Sequence, residues 1–237
     1  MPLRILYGGT FDPVHLGHLA IARAARDQLQ VAVRLLPAAD PPHRAPPGAN
    51  AEQRARMLEL AIGEEPGLLL DRREIDRAQQ HPGVPSYTVD TLRELRAELG
   101  PLQPLAWLVG ADSLRSLNQW HEWRDLFKLC HFIVAERMGS PMQAGLVPDL
   151  AVALHGRQVT DERPLFSSPG GRILRLRAPL RGESATAVRE QIAQRRPWRN
   201  LVPEPVADYI ADHRLYGAGG GVNTFRPKAP YNPGNTF

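Results

Sequence analysis

Apolar residues along this chain follow two periods, one of strands and one of helices. Leu3-Arg4-Ile5-Leu6-Tyr7 is a short apolar run that ends at Gly8-Gly9, and Leu16 to Gln30 then places apolar residues at helical spacing. Val31-Ala32-Val33-Arg34-Leu35-Leu36 is a second apolar run, so the chain opens with a predicted βαβ unit, which crosses over right-handed in a parallel sheet. A Pro-rich stretch from Pro37 to Asn50 interrupts. The pattern then predicts a helix over Ala51 to Ile62, a strand over Leu68 to Asp71, a long polar loop from Ala78 to Ser86 and a helix over Thr88 to Leu99. Leu105 to Gly110, His131 to Ala135 and Arg172 to Arg177 read as further strands, and Ala185 to Arg196 and Pro203 to Arg214 as closing helices. Residues 136–171 have the weakest periodicity and read as loops with one short helix. Strand and helix therefore alternate, which predicts the α/β class with a doubly wound, mostly parallel sheet and C-terminal helices. After Gly217 the period vanishes: residues 218–237 are rich in Gly, Pro and Asn and read as a disordered tail.

Composition narrows the class. A chain of 237 residues with 43% hydrophobic and 23% charged residues is ordinary for a globular protein, and folding should bury about 70–75% of its unfolded surface. No stretch approaches the ~18 uninterrupted apolar residues of a membrane span, and the N-terminus lacks the long apolar region of a signal peptide. A single cysteine, Cys130, cannot form an internal disulfide, so a reducing, cytoplasmic setting is expected. Lys128 and Lys228 are the only lysines among 29 basic residues. Arginine's forked donors suit phosphates and carboxylates, although an Arg-rich codon bias explains the same excess. The arginines are scattered and aromatics are only 6%, so nucleic acid is not an expected partner. Neither composition nor pattern chooses between a monomer and a homo-oligomer.

The chemistry concentrates in Gly8-Gly9-Thr10-Phe11-Asp12-Pro13-Val14-His15-Leu16-Gly17-His18. Glycines at the end of a first strand let backbone approach a ligand, and the following helix aims unpaired N–H groups and a partial positive charge at the same place. His15 and His18, three apart at the helix start, can present both rings to one side, with Gly17 leaving room between them for a bulky group. Two imidazole donors flanking a phosphate would stabilise charge on a transferring phosphoryl group. A His pair can also hold a metal, but no Asp, Glu or Cys cluster nearby supplies the remaining ligands. Asp12, before Pro13 and a helix start, reads equally as a residue that shapes the turn.

This stretch resembles the HxGH signature of the nucleotidyltransferase superfamily. With it, in order, stand Pro41-Pro42-His43-Arg44, Pro85-Ser86-Tyr87-Thr88-Val89-Asp90-Thr91-Leu92, Gly110-Ala111-Asp112-Ser113-Leu114, Ser184-Ala185-Thr186-Ala187-Val188-Arg189 and Leu201-Val202-Pro203-Glu204-Pro205-Val206. The ordered set spans most of residues 3–217 and resembles the bacterial nicotinate-nucleotide adenylyltransferase family. The resemblance implies a Rossmann-like nucleotidyltransferase domain over residues 1–217 that moves AMP from ATP to nicotinate mononucleotide, a late step of NAD biosynthesis.

It also implies site residues. Gly8, Gly9, Thr10, Phe11, His15 and His18 would hold the ATP phosphates, with Ser184, Thr186 and Arg189 gripping them from the other side; His15, His18 and Arg189 would be catalytic. Hydroxyls and N–H groups at a helix start with Arg one turn inside make an anion site, whereas plain N-capping by Ser184 beside a solvated Arg189 is the simpler reading of the same residues. Glu183 stands where the family more often has a neutral residue. Tyr87, Thr88, Asp112 and Trp120 would bind the pyridine nucleotide, with Arg44 closing over it. Without the resemblance, Trp120 and Trp123, three apart, read as core on a helical face. Mg²⁺ would travel with ATP, with no protein ligand assigned.

Overall fold

The computed structural model describes residues 2–39, 48–136, 142, 145–177 and 182–218. Arg44, its Pro-Pro-His-Arg motif and the tail beyond Ala218 lie outside the described residues.

Seven strands make one sheet: β1 (Arg4–Gly9), β2 (Val33–Pro37), β3 (Leu68–Leu70), β4 (Leu105–Gly110), β5 (His131–Ala135), β6 (Gln158–Val159) and β7 (Ile173–Leu176). Their order is β3-β2-β1-β4-β5-β7-β6, and every pairing is parallel. Successive residues face opposite layers, as a pleated strand requires. Ile5, Tyr7, Leu35, Leu108, Ile133 and Leu174 share one buried cluster, while Leu6, Leu36, Trp107, Val109, Phe132 and Val134 belong to another on the opposite face. The first layer is closed by α1 (Leu16–Leu29), α2 (Ala51–Ile62), α9 (Ala185–Ala193) and α10 (Glu204–Asp212). The second is closed by α4 (Thr88–Leu99), α5 (Ala111–Arg115), α6 (Trp123–Leu129) and α7 (Pro148–Leu154). Both faces of the sheet are covered, which is why its strands read as apolar runs.

Two segments depart from the pattern-based expectation. α3 (Arg73–Gln80) precedes the predicted polar loop and overlaps its first residues; its single large buried apolar residue is Ile75, too little to announce a helical period. Residues 136–171 hold α7, α8 (Arg163–Ser167) and the two-residue β6 rather than one short helix. Each element there is at most two turns long, shorter than the window in which a period is visible.

The winding reverses between β1 and β4: β1, β2 and β3 extend one way from the centre, and β4, β5, β7 and β6 the other. Loops at the C-terminal ends of β1 and β4 therefore diverge and leave a crevice, the usual ligand position in such sheets. No helix among the described residues is long and apolar enough to cross a membrane.

Candidate active site

The loop leaving β1 carries the first half of the site. Phe11 adopts a left-handed φ of 51°, and its ring packs edge-on against Tyr7 and His18 at 5.4 and 4.9 Å between centroids. His15 is the N-cap of α1, and its ring lies 3.7 Å from that of His18. The His15 backbone N–H donates to His18 Nδ1 at 3.2 Å. An accepting Nδ1 puts the hydrogen of a neutral imidazole on Nε2, so His18 is presented as an Nε2–H donor at a helix start.

The glycines of this loop serve packing as much as ligand approach. A Cβ on Gly8 would overlap the Trp107 indole of β4. A Cβ on Gly17 would stand 3.0 Å from the His15 ring and 3.4 Å from the Glu183 carbonyl oxygen. The space at Gly17 is thus taken by His15 and by the chain entering α9, which corrects the expectation that it makes room for a bulky group between the two histidines. The same contact brings the start of α9 against the start of α1, so two helix N-termini converge at the crevice.

At α9, Ser184 accepts the Ala187 N–H at 3.1 Å, the N-capping role. Arg189, partly exposed, is anchored rather than free: its Nη1 donates to the Asp12 carbonyl at 2.6 Å, and its Nη2 to Thr186 Oγ1 at 3.4 Å. Asp12, 5% exposed, shapes the turn as a junction. Its Oδ2 accepts the Gly48 N–H at 2.8 Å, and its Oδ1 accepts the Ala49 N–H at 3.1 Å and the Tyr216 hydroxyl at 2.6 Å. Burial, then the Asp12 carboxylate, push the Tyr216 phenol well above its ordinary range, which keeps it a donor.

Arg54, fully buried on α2, escapes a reading of the sequence, where it looks like any charge on a helix. Its guanidinium donates to the carbonyls of Thr10 at 2.8 Å, Ala39 at 2.9 Å and Ala49 at 3.2 Å, and to that of Ala38. The buried cation pins the ends of β1 and β2 together and adds positive potential behind the loop.

The predicted acceptor residues lie on the β4 side. Tyr87 caps α4, and its ring stacks on His121 at 4.3 Å between centroids and 26° between planes. Thr88 is the first residue of α4. Trp120 is partly buried against the second core cluster, whereas Trp123 is core. Asp112, on α5, pairs with Arg115. Behind the Tyr87 turn lies a polar network that the sequence did not announce. Arg77 donates to Ser86 Oγ at 2.5 Å, to Thr91 Oγ1 at 2.8 Å and to Glu94 at 2.7 Å. Thr91 in turn donates to Glu74 Oε1 at 2.8 Å, and burial pushes Glu74 up to about 7. Cys130 and Trp107 are core, and burial pushes the Cys130 thiol up, away from reactivity.

The cytidylyltransferase-like family model matches residues 6–191. A probable nicotinate-nucleotide adenylyltransferase of Stenotrophomonas maltophilia (strain K279a) is 71% identical over 216 residues, covering 91% of this chain and 97% of its own. One from Xylella fastidiosa (strain 9a5c) is 48% identical, covering 91% and 96%. Among solved structures, Plasmodium falciparum nicotinic acid mononucleotide adenylyltransferase complexed with NaAD superposes with a TM-score of 0.68 at 16% identity, covering 92% of this chain and 99% of that one.

Proposed function

Because the chain belongs to the cytidylyltransferase-like family and, within it, to the nicotinate-nucleotide adenylyltransferases, we propose that it moves AMP from ATP to nicotinate mononucleotide, giving nicotinate adenine dinucleotide and pyrophosphate. The observation that carries the site assignment is the convergence of two helix N-termini, with His18 on one and Arg189 on the other, beside the β1–β4 crevice.

A phosphate oxygen of the mononucleotide attacks the α-phosphorus of ATP; the new P–O bond forms as the bond to the β-phosphate oxygen breaks, and pyrophosphate leaves. The attacking phosphate is already an anion near neutral pH, so the reaction needs no enzyme nucleophile and no general base. What it needs is alignment and donors aimed at the charge that develops. The Nε2–H of His18, the ring of His15, the backbone of Gly8 to Phe11, the α1 N-terminus and the Arg189 guanidinium supply those donors on the ATP side. Thr186 steadies Arg189, and Ser184 caps its helix. ATP enters as its Mg²⁺ complex. The Asp12 carboxylate is committed to Gly48, Ala49 and Tyr216, so the ion belongs with the phosphates rather than on that side chain.

Across the crevice Tyr87, Thr88, Asp112 and Trp120 form the acceptor side, with the Arg77 network holding the Ser86–Tyr87 turn and Arg44 contributed from outside the described residues. Flat rings at Trp120 and at the Tyr87–His121 stack suit a pyridine, and N–H groups at the start of α4 suit its carboxylate. The cytoplasm, where ATP is plentiful and a buried lone thiol stays reduced, is the proposed setting.

Pyrophosphate release with MgATP, compared across nicotinate mononucleotide, nicotinamide mononucleotide and phosphopantetheine, tests the reading. Fast release with the nicotinate form and a rate lower by orders of magnitude with the amide are expected, because donors built for a carboxylate would be left mismatched. Equal rates with the amide would overturn the acceptor assignment, and silence with all three would overturn the reaction.

A further inference from the structure

The C-terminal turn reaches back to the first loop of the fold in a way that the proposed reaction does not by itself require. Tyr216 follows Asp12 by 204 positions, yet its hydroxyl donates to Asp12 Oδ1 at 2.6 Å. Its ring lies over Gly48, where a Cβ would stand 2.9 Å from two ring carbons. Tyr216 itself holds a left-handed φ of 58°, and Phe11, next to Asp12, holds one of 51°. Non-glycine residues persist in that region only where their surroundings over-determine them. Left-handed backbone thus stands at one end of this hydrogen bond and next to the other.

Beside that bond stands Arg189. Nη1 of Arg189 donates to the Asp12 carbonyl at 2.6 Å but stays 3.7 Å from the Asp12 carboxylate. The carboxylate is turned instead toward Tyr216 and the N–H groups of Gly48 and Ala49. Neutral donors orient the carboxylate without removing its charge, so it pairs with Arg189 only at a distance and makes no direct hydrogen bond to the guanidinium. We propose that Tyr216 is a positioning residue for adenylyl transfer: its hydroxyl fixes the Asp12 carboxylate so that Arg189 is anchored through a backbone carbonyl and keeps its remaining N–H donors for the phosphates of ATP. The inference rests on the reading of Arg189 as an ATP ligand. It also gives the terminal Leu215-Tyr216-Gly217 turn a part in the chemistry, although the turn follows every nucleotide-binding motif in the chain.

Tyr216→Phe keeps the ring over Gly48 and removes the hydroxyl. Without it the carboxylate is expected to close on Arg189 and draw the guanidinium from the phosphates. Steady-state kinetics should show kcat/KM for MgATP lower by about tenfold, the scale of one hydrogen bond to a charged group, with KM for nicotinate mononucleotide within about twofold of the parent. A merely structural tyrosine would lower the melting temperature and leave both constants of the folded enzyme alone. A cycle with Asp12→Asn separates the routes further: if Tyr216 acts through Asp12, adding Tyr216→Phe to Asp12→Asn costs less than about twofold. Parental kinetics in Tyr216→Phe, or losses that multiply in the double variant, overturn the proposal. Should Tyr216→Phe not fold, Gly48→Ala displaces the same phenol by crowding its ring; the same ATP-selective loss is expected, and parental constants there overturn the proposal as well. The parent assayed alongside keeps the two levels apart. An inactive parent refutes adenylyl transfer itself, whereas an active parent with an indifferent Tyr216→Phe refutes only the role of Tyr216.

Discussion

Replacing Glu74 by Gln should make the protein more stable at alkaline pH and flatten the dependence of its stability on pH. Glu74 is 5% exposed on α3, and Thr91 donates to it at 2.8 Å. Burial outweighs that hydrogen bond and the nearby Arg77 charge, and raises the carboxyl from 4.5 to about 7. The folded protein therefore holds a proton that the unfolded chain has released. Below about pH 4.5 both states are protonated and the site costs nothing; between 4.5 and 7 stability falls as pH rises; above 7 the full cost is present. The distance from 4.5 to about 7 corresponds to about 3 kcal/mol. Gln fills the same space and still offers an acceptor to Thr91, but carries no charge. Urea unfolding of parent and variant at pH 5 and pH 8 measures the difference. The variant should gain about 2–3 kcal/mol on the parent between the two, with unchanged m-value. Parallel pH dependences, or a variant less stable than the parent at pH 8, would refute the reasoning: Glu74 would then be ionised at little cost, through its contacts with the Arg77 network.

Three further outcomes are expected. His18→Ala should lower pyrophosphate release about 10²–10³-fold with the circular dichroism and melting temperature nearly unchanged, the loss typical of one preorganised donor; a parental rate would remove His18 from the chemistry. Arg54→Met should lose about 3 kcal/mol or more in urea unfolding, since it takes the guanidinium from the buried Ala49 carbonyl and from the part-buried carbonyls of Thr10, Ala38 and Ala39, and an unchanged midpoint would show that water replaces it. Gly17→Ala, whose Cβ meets the His15 ring at 3.0 Å, should lose about 1–3 kcal/mol and raise KM for ATP; a parental melting temperature together with a parental KM would mean that the two helix starts are not tightly joined there.

Central strands were legible because burial on both faces leaves them no polar alternation to confuse: β4 and β5 stand as predicted, at Leu105–Gly110 and His131–Ala135. The first half of the site was legible for a related reason. Glycines, a strand end and two histidines at helical spacing are local in sequence, so His15 and His18 needed no knowledge of the rest of the chain to be placed at the start of α1. Arg54 and Tyr216 were not legible, because what distinguishes them is long-range. Arg54 sits in Glu-Gln-Arg-Ala-Arg, and nothing in that string says which arginine is sealed under the carbonyls of Thr10 and Ala38. The α3 helix escaped for a physical reason as well: its packing is a polar network through Glu74 and Arg77, and hydrophobic periodicity cannot report burial achieved by paired charges and hydroxyls.

The reversal of winding between β1 and β4 has a consequence for descent. The proposed ATP grip is built from the β1–α1 loop and α9, while the proposed acceptor reader is built from the start of α4 and the segment from Asp112 to Trp123. The two halves meet across a gap and share no secondary-structure element. Substitutions that retune the acceptor wall need not disturb the geometry that aligns the phosphates, so lineages can exchange one phosphorylated acceptor for another while the adenylylating half is inherited intact. Transplanting residues 85–92 and 112–123 from a relative with a different acceptor, with β4 and its Trp107 kept against Gly8, is the corresponding experiment for a protein engineer.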